Sequence, residues 1–404
     1  MEISVIKETG DINERARWTQ NRKKKESRTA KWSEKRWYNS YCREFGLSRA
    51  RMKTNEDQDA EWECKDLLGK GAFGVVGLWV KSDAKGRVLD AIAIKQTNAE
   101  RRERTSRGET TLPWEALIMN ELQQRGCTNI VQIRRIIYFP LEKPVQWRFY
   151  MEVSRFGTMT DLIEAYMDKG LRLPEAFIWQ AFNEFAKVAV HMSCARFHKS
   201  VAPKGENPFV LHLDLKHDNV LLGEPPSRED GLHYPSVRVA DWGLAEFTSI
   251  ESSENSDKWR GYGTLCWMPP EQRRYGEYGR HWKRNVFGSP TAPFTMKHVV
   301  WQIAACVYGL MNVEKHNETI NKKVDAFENR EARLREQGYS VLGGYSSSIY
   351  TKSLCRLVEL CLLVDPKLRP SPRTLRDKTH EGWKPHFEKF KKNGFKNLEP
   401  MSFP

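Results

Sequence analysis

The six residues GKGAFG, Gly69 to Gly74, constrain this chain more than any other stretch because of the residue types directly after them. A glycine-rich run can expose backbone amides to phosphate in more than one fold. In a dinucleotide-binding unit the last glycine opens a helix. Here Val75, Val76, Leu78, Trp79 and Val80 come next, and a β-branched, aromatic run favours a strand. The six residues therefore read as the tip of a β-hairpin able to lie over phosphates. A plain structural hairpin is the alternative if nothing accompanies it.

Much accompanies it. About twenty residues on, IAIK places Lys95 on an otherwise apolar strand, and a buried ammonium is costly without an acid nearby. Glu115, at the start of EALIMNEL, is the leading candidate for that acid. Glu121 is its rival on another face of the same helix, which carries Leu117, Ile118 and Leu122 inward. Further along, LHLDLKHDNVLLG sets Asp214, Lys216 and Asn219 between two apolar runs, as a loop between short strands. ADWGLAEF then supplies Asp241. A lone carboxylate is more often a solvated or capping residue, but an ordered set of this kind asks for a ligand.

Secondary-structure signals divide the chain. From Trp62 they are β-like, with SDAKGR as a hairpin turn, a helix at Trp114 to Gln124, and further strand pattern from Ile130 to Val153. Beyond Thr160 helices dominate: Asp161 to Lys169, Glu175 to Ala195, Val299 to Met311 and Leu354 to Val364. A strand-rich front and a helix-rich back imply two lobes joined near Val153 to Gly157. Stretches around Lys199 to Pro208, Gly223 to Pro235 and Arg273 to Pro293 read as surface insertions. Trp37, Tyr41 and Phe45 suggest a further helix near Ala30 to Phe45, stopped by Gly46.

Composition narrows the setting. The hydrophobic content of 39% with 14 Trp, 18 Phe and 13 Tyr is ample for a globular core. No apolar run approaches the roughly 18 residues that span a bilayer, and the acidic start MEISVIKETG does not read as a signal peptide. Eight scattered cysteines without a CxxC pair suit reduced thiols, and hence the cytoplasm, the nucleus or both. The formal charge of +14 is carried largely by RWTQNRKKKESR and FEKFKKNGFK near the two ends. These segments read as solvated. A nuclear-import signal at Arg22 to Lys25 is the alternative, and direct nucleic-acid binding is not expected.

Together these residues resemble the eukaryotic protein kinases of serine/threonine type, over about residues 61 to 380. GKGAFGVV resembles the family's glycine loop, IAIK its strand lysine, HLDLKHDN its catalytic loop and DWG its metal-binding triplet. PPE, Pro269 to Glu271, is similar to the end of the activation segment, and DPKLRPS carries Arg369, which in the family pairs with that glutamate. The insertions and Val299 look most like those of filamentous-fungal kinases. The resemblance implies a bilobal α+β fold. A β-rich N-lobe with one key helix would cover about 61–153, and a larger, mainly helical C-lobe about 155–380. A basic, polar extension at 1–60, partly helical or disordered, and a basic tail at 381–404 would flank them.

The resemblance also implies ATP and Mg²⁺ as cofactors and protein serines and threonines as acceptors. Lys95, aimed by Glu115, would hold the α- and β-phosphates beneath Gly69, Gly71 and Gly74. Val76, Ala93 and Leu221 would enclose the adenine, with Glu152 to Ser154 as the hinge and Met151 guarding the pocket behind. Asn219 and Asp241 would ligate Mg²⁺, Asp214 would accept the hydroxyl proton, and Lys216 would neutralise the γ-phosphate. Thr264 would bond both Asp214 and Lys216, in the serine/threonine pattern. Asp218 sits where basic substrate residues are often favoured.

Three departures matter. Leu213 replaces the arginine that usually precedes the catalytic aspartate and receives an activation-segment phosphate, so activity independent of such phosphorylation is expected. Thr248, Ser249, Ser252, Ser253 and Ser256 then read as solvated loop hydroxyls. Trp242 replaces the phenylalanine after Asp241 and is bulkier. Val299 replaces a buried aspartate that accepts catalytic-loop amides, leaving water or a neighbour such as His298 to take over. An active kinase is the leading reading. An ATP-binding pseudokinase scaffold is the alternative from a different class, and PPE and DPKLRPS argue against a small-molecule phosphotransferase.

Overall fold

The computed structural model describes residues 51–52, 62–71, 74–98, 113–139, 146–193, 207–224, 234–252, 255, 259–273, 293–320, 322 and 348–392. The expected helix at 30–45, the 1–60 extension other than 51–52, and nearly all of the three insertions lie outside them. Two compact units are present. One comprises 1–116 with 132–155, the other 117–131 with 156–404.

The first unit is a six-stranded antiparallel sheet. Its strands are β1 (Arg51–Met52), β2 (Trp62–Gly71), β3 (Gly74–Ser82), β4 (Val88–Asn98), β5 (Ile133–Phe139) and β6 (Gln146–Met151), in the order β1-β2-β3-β4-β6-β5. Side chains on β3 alternate between buried and half-buried positions, the period of a strand with one covered face. Trp62, Cys64, Val75, Trp79, Ile92, Ile94 and Tyr150 form its core. SDAKGR makes the expected turn: Asp83 Oδ1 accepts the amides of Lys85 and Arg87, and Gly86 takes φ +77°. The glycine loop is likewise a hairpin, with Gly71 opposite Gly74 and its tip, residues 72–73, outside the described part. Gly74 has φ +128°, and a Cβ there would lie 2.2 Å from the Gln96 carbonyl oxygen, so only glycine fits.

Helix α1 (Trp114–Gln124) has the expected bounds. It ends where Gly126 turns left-handed and the Cys127 amide returns to the Leu122 carbonyl. Leu117 is only half-buried; Ala116 and Met119 complete the inward face with Ile118 and Leu122. The division between units also differs from a simple break after 153, because 117–131 groups with the second unit. The cause is β-pairing after α1: Ile130 bridges Val239, and the Asn129 side chain reaches Ser236 and Val237.

The second unit contains α2 (Met159–Lys169), α3 (Glu175–Ser193), β7 (Phe209–Leu211), β8 (Val220–Gly223), β9 (Ser236–Val239), β10 (Glu246–Thr248), α4 (Met296–Asn312), α5 (Lys352–Cys361) and α6 (Pro372–Lys392). A capping box of Thr158 and Asp161 starts α2, and left-handed Gly170 ends it. Helix α4 is buried almost throughout, as its apolar sequence demands. Helix α6 continues past residue 380, where a tail was expected. Gly382 packs so closely on Trp179 of α3 that a Cβ would stand 2.4 Å from the indole. Among the described residues no helix is long and apolar enough to cross a membrane.

Candidate active site

In the first unit Lys95 lies on β4 opposite Val76 and Phe149, only 7% exposed. Its Nζ donates to both oxygens of Glu115, at 2.7 and 2.9 Å, which meets the need of a nearly dry ammonium for an acid. Glu121 is occupied elsewhere, accepting Arg125 Nε at 2.7 Å one turn along α1. Ala93 is buried and paired with Leu78 and Met151, while Val76 is half-buried. The Glu152 amide donates to the Gln132 carbonyl, and its carboxylate accepts the Gln132 amide. Ser154 is buried, and its hydroxyl has no protein partner.

In the second unit the segment between β7 and β8 converges as its sequence suggests, although each strand pairs elsewhere: β7 with β10, β8 with β9. A single turn of 3₁₀-helix, His217–Asn219, folds the loop back on itself. Asn219 Nδ2 donates to the Asp214 carbonyl at 2.9 Å and to Asp214 Oδ2 at 3.2 Å. Lys216 Nζ lies 3.2 Å from the same Oδ2 and donates to Thr264 Oγ1 at 2.8 Å. One carboxylate oxygen of Asp214 is thus held twice, and the other, Oδ1, is buried without a partner. Thr264 bonds Lys216 and not Asp214, so the expected contact to the carboxylate is made through the lysine alone. Asp218 is exposed and accepts the Thr160 hydroxyl.

The loop rests on α4 through His217, a residue that no sequence motif singled out. Buried between Lys216 and Asp218, its Nε2 bonds the Cys306 carbonyl at 2.8 Å, and burial holds its pKa below the ordinary value. Asp241 follows β9 with φ +56°, its backbone tied back by the Ala240 amide to the Asn219 carbonyl. Trp242 is fully buried, packs against the His212 ring in a tilted arrangement with centroids 4.7 Å apart, and donates its indole N–H to the Val239 carbonyl. The bulk of the tryptophan is accommodated, and it adds a bond that phenylalanine lacks. Leu221 is half-buried on β8.

Downstream, Glu271 and Arg369 form the expected pair in bidentate form, at 2.6 and 2.8 Å. The guanidinium is dry, lies over Trp301, and also donates to the Leu363, Val364 and Lys297 carbonyls. Burial pushes the Glu271 carboxyl up, but Arg369 outweighs it and holds the group below its usual value. Thr248 and Ser249 are fully buried, contrary to the solvated reading, because β10 pairs with β7. Asn255 fastens the segment beyond them, bonding the Ser249 carbonyl and both backbone groups of Phe294. Val299 is buried, and His298 does not stand in for the missing aspartate: neither of its ring nitrogens has a protein partner. Gln272, equally inconspicuous in sequence, meets the same loop by a different contact, donating to the Leu213 carbonyl at 3.0 Å and to that of Tyr262.

Comparison with known proteins identifies the family. The chain is 24% identical over 322 residues to the probable serine/threonine-protein kinase nek2 of Dictyostelium discoideum, covering 78% of this chain and 61% of that protein. It is 22% identical over 334 residues to the G2-specific protein kinase nim-1 of Neurospora crassa, covering 78% and 32%. The serine/threonine-protein kinase pakC of Dictyostelium discoideum is 26% identical over 238 residues, covering 58% and 41%. The chain therefore spans about three fifths of the first relative's length and about a third of the second's. The family model for the protein kinase domain matches residues 62–380, well over half of the sequence, and the chain belongs to that family.

Proposed function

We propose that this chain transfers the γ-phosphate of ATP to serine and threonine hydroxyls of proteins, and that it does so without a phosphate on its activation segment. The observation that carries the reading is the state of Asp214. With Oδ2 fixed by Asn219 and Lys216, the buried, unpartnered Oδ1 is the atom poised to take a hydroxyl proton. Lys216, shared with Thr264, would meet the transferring phosphoryl group, and Lys95, held by Glu115, the α- and β-phosphates. Asn219 spends its amide N–H groups on Asp214, which leaves its amide oxygen as a hard donor. With the Asp241 carboxylate this suits Mg²⁺. Magnesium-bound ATP supplies the phosphoryl group and much of the charge neutralisation of the transfer.

Independence from phosphorylation rests on Leu213. It is fully buried and apolar, so this position presents no cation to a phosphate. Asn255 and Gln272 hold the segment with neutral amides instead. Location in the cytoplasm, the nucleus or both is part of the same reading, in keeping with eight scattered cysteines that include no CxxC pair.

The test is Mg²⁺-dependent transfer from labelled ATP to a degenerate Ser/Thr peptide library, with Asp214→Ala as control. Transfer that falls at least ~10²-fold in the control is expected. ATP binding without transfer by either protein would replace this reading with that of a nucleotide-binding scaffold. Phosphatase treatment should leave the activity unchanged; its abolition, with the site mapped between 241 and 271, would overturn the second half of the proposal.

A further inference from the structure

Leu213 raises a mechanical question. Its φ is +64°, in the left-handed region that costs a branched L-residue about 1–3 kcal/mol unless the surroundings over-determine it. It directly precedes Asp214, so any relaxation of its backbone swings the carboxylate. We infer that Gln272 is a positioning residue for phosphoryl transfer, an amide clamp whose two N–H groups lock the backbone before Asp214 to the backbone before Thr264.

Gln272 is fully buried, in the 3₁₀ turn that follows Pro269. Its Nε2 carries two hydrogens, and there are two acceptors: the Leu213 carbonyl at 3.0 Å and the Tyr262 carbonyl at 2.5 Å. Its backbone joins in, the Gln272 carbonyl accepting the Gly261 amide at 2.7 Å. Between the clamped points lies Gly263, φ +98°, where a Cβ would fall 2.3 Å from the Leu213 carbonyl oxygen and 3.3 Å from Asp214 Oδ1. The two backbones are therefore in direct apposition, and one side chain ties both. One residue on, Thr264 receives Lys216, which itself touches Asp214. The clamp thus closes a ring running from Leu213 and Asp214 through Lys216 and Thr264 to Tyr262 and Gln272. A carbonyl accepts but cannot donate, so only a side chain with two donors on one atom fits this place.

The inference rests on the kinase reading, and the experiment separates the two. Gln272→Met keeps length and bulk without a donor; Gln272→Glu keeps length and polarity with at most one donor, the O–H of a protonated carboxyl, and so cannot hold both carbonyls. If donation positions Asp214, both variants lose about ten- to a hundredfold in kcat, with the KM for ATP within about twofold of wild type. If Gln272 only fills space, Gln272→Met retains wild-type kcat, and that result overturns the inference. A second readout needs no catalysis: amide hydrogen exchange should quicken in both 211–219 and 261–265 in the variants. Should the wild-type chain prove inactive, the kinase reading fails, and exchange alone decides the clamp. Unchanged exchange in both segments overturns it. Gln272→Glu serves alone if Gln272→Met does not fold.

Discussion

Six positions separate Glu115 from Glu121 on α1, about 240° around the helix, so one lysine can satisfy only one of them. Lys95 chooses Glu115 and shares both oxygens, while Glu121 spends itself on Arg125 at a partly exposed i,i+4 site. The consequences of neutralising each are therefore unequal. Glu115→Gln leaves a nearly dry ammonium with a weaker partner and frees it to turn away from the position proposed for it on the phosphates. A loss of about ten- to a hundredfold in kcat is expected, with the fold intact by circular dichroism. Glu121→Gln removes an interaction worth about 0.3–0.5 kcal/mol, and its kcat should match wild type. Steady-state kinetics of the pair decides the assignment: equal losses, or a larger one for Glu121→Gln, would move the lysine's partner to the other face of the helix.

Helix α4 shows how an element of featureless apolar sequence becomes the bed of a polar site. Gly309 lets it approach so closely that a Cβ would lie 2.2 Å from the His217 ring, whose Nε2 reaches the Cys306 carbonyl one turn earlier. Gly309→Ala must push His217, and with it Lys216 and Asp218, off the helix. Overpacking of this kind costs about 1–3 kcal/mol. A lowered melting temperature together with a fall in kcat is expected; lost stability with unchanged kcat would show that the loop does not take its position from α4. None of this is written in the sequence, because a glycine in an apolar helix names no neighbour until the fold supplies one. The chemistry is legible for the opposite reason. Asp214, Lys216 and Asn219 lie within six residues, so local geometry alone brings them together. The segment after 380 looks like a solvated tail in sequence because of its basic residues, while in the structure α6 runs on to Lys392 and Gly382 packs against Trp179 from half the sequence away. Gln272 is inconspicuous because its two acceptors are backbone carbonyls, which leave no mark on residue identity.

The stability of the molecule as a whole should carry the imprint of two buried titrating groups that pull against each other. Glu184 on α3 is pushed up to about 7 from its ordinary 4.5 by burial, despite accepting the Val237 amide and lying near Arg238. Folded protein therefore keeps a proton there that the unfolded chain has released. The stability this lends is fully present below about pH 4.5 and is lost as pH rises to about 7. His298 on α4 is pushed down to about 4 from 6.5, again by burial, with Glu271 opposing and Arg369 reinforcing the shift. Its contribution is present above about pH 6.5 and is lost as pH falls to about 4. Each spans roughly 3 kcal/mol, and between about 4.5 and 6.5 their slopes are opposite, so together they produce a plateau instead of a peak. Single substitutions expose the hidden slopes. Relative to wild type, Glu184→Gln should gain roughly 3 kcal/mol between pH 4.5 and pH 8. His298→Leu should gain a similar amount, roughly 3 kcal/mol, as pH falls from 7 to 4. Urea unfolding at a series of pH values measures both differences. A Glu184→Gln curve parallel to wild type would mean that the Val237 and Ser236 bonds already keep that carboxylate ionised in the folded state. A parallel His298→Leu curve would mean that the imidazole takes up its proton inside the fold, against Glu271.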